Sequence, residues 1–120
     1  MLQVYGIKNC NTVKKSLDWL KENNCQYEFF DVKKGLLNKI LMEDWIHSMK
    51  SNYTWESLVN KSGITWKQLS DKNKNGIVTS DDAIKIMLSK PTIMKRPVIT
   101  KKGKIIAIGF DINLYEEKIK

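Results

Sequence analysis

In the stretch YGIKNCNTVKKSLDWL (residues 5–20), Cys10 stands between an apolar segment and a helix-like one, in a polar loop with Lys8, Asn9 and Asn11. A thiol is inert while protonated, and free cysteine ionises only near pH ~8.5. The unpaired amides and the dipole of a helix N-terminus favour an anion and lower that value. Lys8, Lys14 and Lys15 add positive charge nearby. The pattern points to a reactive thiolate rather than a buried, unreactive thiol. Cys25 is not its obvious partner. A helix of about 12 residues separates them by roughly 18 Å, whereas a disulfide needs Cα atoms within about 7 Å. Cys25 reads as a buried or boundary thiol, and redox chemistry at Cys10 as monothiol chemistry resolved by an outside thiol.

The second residue suited to chemistry is Arg96. All but one of the 21 Lys and Arg residues are lysine; the exception is Arg96, directly before Pro97. Its planar fork matches a carboxylate or an oxyanion in a way lysine does not. A proline that opens a strand can hold a cis peptide, which would present backbone groups towards a thiol across the site. The single histidine, His47, falls in a helix-like segment and reads as a surface or boundary residue. No Cys/His cluster suggests a metal. DKNKNGIVTSDD (residues 71–82) imitates a calcium loop, with oxygens at positions 1, 3 and 5 and Gly76 at position 6. Asp82 is too short for the usual bidentate glutamate, and Lys72 and Lys74 reduce the negative charge. The segment reads as a polar turn leading into a helix cap at Thr79.

The elements that must position these residues follow from periodicity. Residues 1–5 read as a short buried strand and residues 12–23 as a helix with Val13, Leu17 and Leu20 on one face. Asn11 or Thr12 can cap that helix. QYEFFDV (residues 26–32) reads as a second strand, so the two strands should be parallel. The middle is helical. Residues 36–49 place Leu37, Ile40, Leu41 and Trp45 on one side, and short segments follow at Thr54 and at residues 64–69. Thr79 to Asp82 has capping-box spacing, with Ile84, Met87 and Leu88 as the buried face. Residues 97–100 and 104–108 form a hairpin around Lys102-Gly103, and Asp111 opens a last helix. The order is β-α-β, helices, β-β-α.

A chain of 120 residues supports one compact domain. Its net charge is +8, but the lysines are scattered and none forms a block of five. They read as a solvated basic surface, with a nucleic-acid or anionic-partner surface as the alternative. No apolar run approaches the ~20 residues of a membrane span. The first residues lack the features of a signal peptide, so a cytoplasmic location is expected.

YGIKNCNTVKKSLDWL, YEFFDVKKGL, LVNKSGITWKQLSD and IMLSKPTIMKRPVITKKGKIIAIGFD together resemble the ArsC/Spx family of thioredoxin-like proteins, most closely its YffB-like, arsenate reductase-related branch. The early cysteine combined with a late K-P-x-x-x-x-R-P-V carries the likeness. The resemblance implies an α/β, thioredoxin-like fold with a mixed sheet. The thioredoxin-like core would be residues 1–34 and 91–120, with a helical subdomain at 35–90. It also implies that Cys10 is the nucleophile, that Arg96 lies beside it and that Pro97 is cis. Position 13 is Val13, so the C-x-x-C switch of Spx-type members is absent. Of two further arginines used by the reductases, the first falls at Asn60, next to Lys61, and the second in residues 105–109, which contain none.

The expected function is a glutathione-dependent monothiol oxidoreductase with no bound cofactor. Cys10 and Arg96 would be catalytic, and Thr12 would donate a hydrogen bond to the thiolate. Lys14, Asn60, Lys61 and Pro97 would line the substrate site. Glutathione or a glutaredoxin-type protein would be the partner of a monomer that binds neither nucleic acid directly nor membrane. Two alternatives stand beside it: an arsenate reductase coupled to glutathione and glutaredoxin, and an Spx-like regulator that contacts RNA polymerase.

Overall fold

The computed structural model describes residues 1–50 and 53–120. In chain order the elements are β1 (Leu2–Gly6), α1 (Asn11–Glu22), β2 (Tyr27–Asp31), α2 (Lys39–His47), α3 (Ile64–Lys67) and α4 (Asp71–Asn75). They continue with α5 (Ser80–Ser89), β3 (Val98–Lys101), β4 (Lys104–Ile108) and α6 (Ile112–Lys118). Among the described residues no helix is long and apolar enough to cross a membrane. The chain divides into two compact units: Met1–Leu36 with Arg96–Lys120, and Leu37–Lys95.

The first unit holds a mixed four-stranded sheet in the order β2-β1-β3-β4. β1 runs parallel to β2 and antiparallel to β3, and β3 pairs antiparallel with β4. The thioredoxin-like fold and the predicted element order are therefore observed. Lys102 and Gly103 both have positive φ, 54° and 79°, as a two-residue hairpin turn with the twist of its strands requires. Leu2, Val4, Trp19, Leu20, Ile99, Ala107 and Tyr115 form the core. Trp19 meets Tyr115 edge-on at 5.3 Å.

One polar cluster interrupts that core. Ser16, on the inward face of α1, lies 2.9 Å from the Tyr115 hydroxyl and 3.1 Å from the Thr12 carbonyl. Tyr115 gives its proton to the Gly109 carbonyl, so the single Ser16 proton serves Thr12 and Tyr115 in turn. Gly109 in turn donates its amide to the Pro97 carbonyl at 2.8 Å. Tyr115→Phe strips partners from both ends. It should cost about 1–3 kcal/mol, read as a lower urea midpoint at unchanged m.

The second unit is helical. Asn38 caps α2 by accepting from the Leu41 amide at 2.9 Å. Its inward residues are Met42 and Trp45, both fully buried. The expected stripe is corrected here: with the helix starting at Lys39, the buried pair is spaced i, i+3, and Ile40 is 73% exposed. In α5 the capping box of Thr79 and Asp82 is present, and Ala83, Ile84 and Met87 are buried. Leu88 lies at the edge of that stripe, 38% exposed.

Residues 71–75 are a further correction, since they form α4 rather than a polar turn. Ser70 caps it by accepting from the Asn73 amide at 3.1 Å. Asp71 in its first turn and Lys72 and Lys74 in its last suit the helix dipole. Helical geometry there does not make the open loop that calcium ligation needs. The second unit ends at Lys95, beyond the junction expected near residue 91. Met94 bridges Val59, and the Asn60 amide bonds the Ile93 carbonyl at 2.9 Å.

Candidate active site

β1 and β3 run antiparallel with Tyr5 opposite Val98. The chain leaving β1 and the chain entering β3 therefore emerge at the same end of the sheet. The first leads to Cys10, and the second comes from Arg96 and Pro97. Sheet register alone brings together two residues at opposite ends of the sequence.

Cys10 is itself the N-cap of α1, with φ −129° and ψ 120°. Its carbonyl accepts the first helical hydrogen bond, from the Lys14 amide at 2.9 Å. This corrects the expected cap at Asn11 or Thr12, which instead begin the helix. No oxygen-bearing side chain caps α1, and its first turn holds no acidic residue. α5, by contrast, has a full capping box and two aspartates in its first turn. The positive end of α1 is thus left for the half-buried sulfur.

Burial pushes the Cys10 thiol up. Against it act the Val13 amide, a hydrogen bond and the charge of the Arg96 guanidinium, and the Thr12 amide. The lowering causes win, and the thiol titrates below its ordinary value. Thr12 thus acts through its backbone N–H. Val13 was not foreseen as a contributor, because a backbone donor leaves no side-chain signal in a sequence.

The Arg96–Pro97 peptide is cis, and Pro97 is buried. Lys14 is exposed in the first turn of α1. Asn60 and Lys61 belong to the second unit. Asn60 accepts from the Ser62 amide at 3.1 Å. Lys61 pairs with Glu56 at 3.8 Å and lies over the Trp66 ring. Cys25 is free and half-buried beyond the other end of α1, its thiol pointing at the Asn23 carbonyl at 3.6 Å. Among the described residues no group of three or more His, Cys, Asp or Glu could hold a metal ion.

Gly6 is a residue the sequence did not single out. A Cβ there would stand 2.8 Å and 3.2 Å from the two Val13 methyls and 3.3 Å from Phe29. The strand passes so close to the first turn of α1 that no side chain fits. Gly6→Ala should destabilise the protein by about 1–3 kcal/mol. By pushing Val13 away it should also slow Cys10 alkylation at neutral pH, measured with iodoacetamide on the folded protein.

A four-stranded mixed sheet with an inserted helical unit and a cysteine at the N-cap of its first helix defines a thioredoxin-like protein. Residues 5–118 match the ArsC family, and the chain belongs to it. It is 35% identical to an uncharacterised protein of Haemophilus influenzae over 116 residues, 97% of this chain and 96% of that one. A YffB protein of known structure superposes with a TM-score of 0.87 at 29% identity, covering 100% of both chains. An arsenate reductase (ArsC) related protein from Brucella melitensis superposes at 0.74 with 34% identity, over 99% of this chain and 94% of that one.

Proposed function

We propose that the protein is a cytoplasmic monothiol oxidoreductase working with glutathione. The Cys10 thiolate attacks one sulfur of a substrate disulfide. A Cys10–sulfur bond forms as the old bond breaks, and the other sulfur leaves with the electron pair and takes a proton from water. A glutathione thiolate then attacks the substrate-side sulfur of the mixed disulfide and releases Cys10. Arg96 holds the anionic group of the incoming partner. The supporting observation is the lowered Cys10 thiol at the N-cap of α1, beside Arg96.

The test is turnover of a small glutathione mixed disulfide, coupled to glutathione reductase and NADPH, with mass spectrometry of the trapped protein. The expected intermediate is a mixed disulfide at Cys10, present in Cys25→Ser and absent in Cys10→Ser. Turnover that survives Cys10→Ser would sink the reading. Arsenate reduction is a second reading, favoured by the relation to an arsenate reductase-related protein. Arsenate-dependent NADPH oxidation in the same coupled assay would support it, and its absence would remove it.

A further inference from the structure

A groove of about 360 Å³ runs along α1, lined by Lys8, Val13, Lys14, Leu17, Asp18, Lys21 and Phe29. Val13, Leu17 and Phe29 are buried or half-buried and give it an apolar floor, while the three lysines and Asp18 are exposed. Positions 13, 14, 17, 18 and 21 recur at helical spacing and share one face of α1. Phe29 comes from β2, the outermost strand on that side of the sheet, which has β1 as its neighbour. An outermost strand leaves one row of backbone N–H and C=O groups open to an added extended chain. The groove starts at the turn whose Val13 amide faces the Cys10 sulfur.

We propose that this groove docks an acidic segment, carrying a large apolar side chain, of a protein whose disulfide is presented to Cys10. The proposal rests on the disulfide-reductase reading above and names its substrate class. Three cations against one anion select negative charge, and the floor takes an apolar side chain. Length separates a protein segment from a small thiol. From Cys10 to Lys21 the helix axis rises about 16 Å, which an extended chain covers in about five residues. A tripeptide with its cysteine at Cys10 reaches only about 7 Å to either side.

The test uses full-length Cys25→Ser protein and synthetic peptides. Each peptide carries an N-terminal cysteine as its thiopyridyl disulfide, then five residues that are acidic with one phenylalanine, or basic with one phenylalanine. Release of thiopyridone is followed, and each rate is divided by the same protein's rate with neutral 4,4′-dithiodipyridine. At low salt the acidic peptide should react about tenfold faster than the basic one, and salt should erode the difference. Lys21→Glu should abolish or invert the preference, and Lys21→Ala should reduce it. Lys104→Glu, the same charge change on β4, should leave it in place.

A preference untouched by Lys21→Glu, or lowered equally by Lys104→Glu, overturns the proposal. Oxidised glutathione that depends on Lys21 as strongly as the acidic peptide does also overturns it, in favour of a small anionic thiol. A Cys10 that fails to react even with the neutral disulfide overturns the reductase reading as well, so the two failures are distinct.

Discussion

Cys10→Ser should remove turnover of disulfide substrates by at least about 10³-fold while leaving the protein as stable as before, or more so. Serine is among the preferred N-cap residues, and a good cap contributes about 0.5–2 kcal/mol. Cys10 occupies that position with a sulfur, a weaker acceptor than a hydroxyl oxygen, and no acidic residue stands in the first turn. Activity should therefore be lost at this one atom without a loss of stability. The measurements are coupled turnover and urea denaturation on the same sample. A variant that lost both together would mean that the sulfur holds the fold rather than the chemistry.

Arg96→Ala has the second largest expected effect, and its sign reverses with pH. The guanidinium lowers the Cys10 thiol by hydrogen bond and by charge. Without that hydrogen bond and charge the thiol rises, and the thiolate becomes scarcer at neutral pH. The thiolate that remains is more nucleophilic, because intrinsic reactivity rises with pKa. Alkylation near pH 6.5 should then slow several-fold, whereas near pH 10, where both proteins are ionised, the variant should run faster. Arg96→Lys, which keeps the charge and loses the fork, should fall between. Parallel profiles without a crossing would remove Arg96 from the site.

The same lowered thiol has a consequence for stability. The native state releases the Cys10 proton more readily than the unfolded chain does. Its contribution is fully present above the unfolded value and is lost as pH falls through the folded one. Arg96→Ala should flatten that dependence.

Legibility in the sequence followed the physics of each feature. The reactive pair was readable because its signals are residue types: a cysteine ahead of a helix and a lone arginine among lysines. The βαβ order and the Lys102-Gly103 hairpin were readable from alternation and turn residues. The cap of α1 was misassigned because asparagine and threonine outrank cysteine as caps, and only coordinates show the sulfur in that place. α4 was missed because Asp, Asn, Lys and Gly compose turns as readily as short capped helices. Ile40 points outward because it lies five residues from Trp45, roughly 140° round the helix, whereas Met42 lies only about 60° from it. Gly6 against Val13, and Ser16 against Tyr115, depend on the distance between elements far apart in the chain. No local pattern carries that distance.

The most direct measurement is the pH profile of Cys10 alkylation by iodoacetamide in folded Cys25→Ser protein. A single titration is expected, with its midpoint clearly below the ~8.5 of an unperturbed thiol. A midpoint at or above that value would contradict a thiolate held at the N-cap of α1.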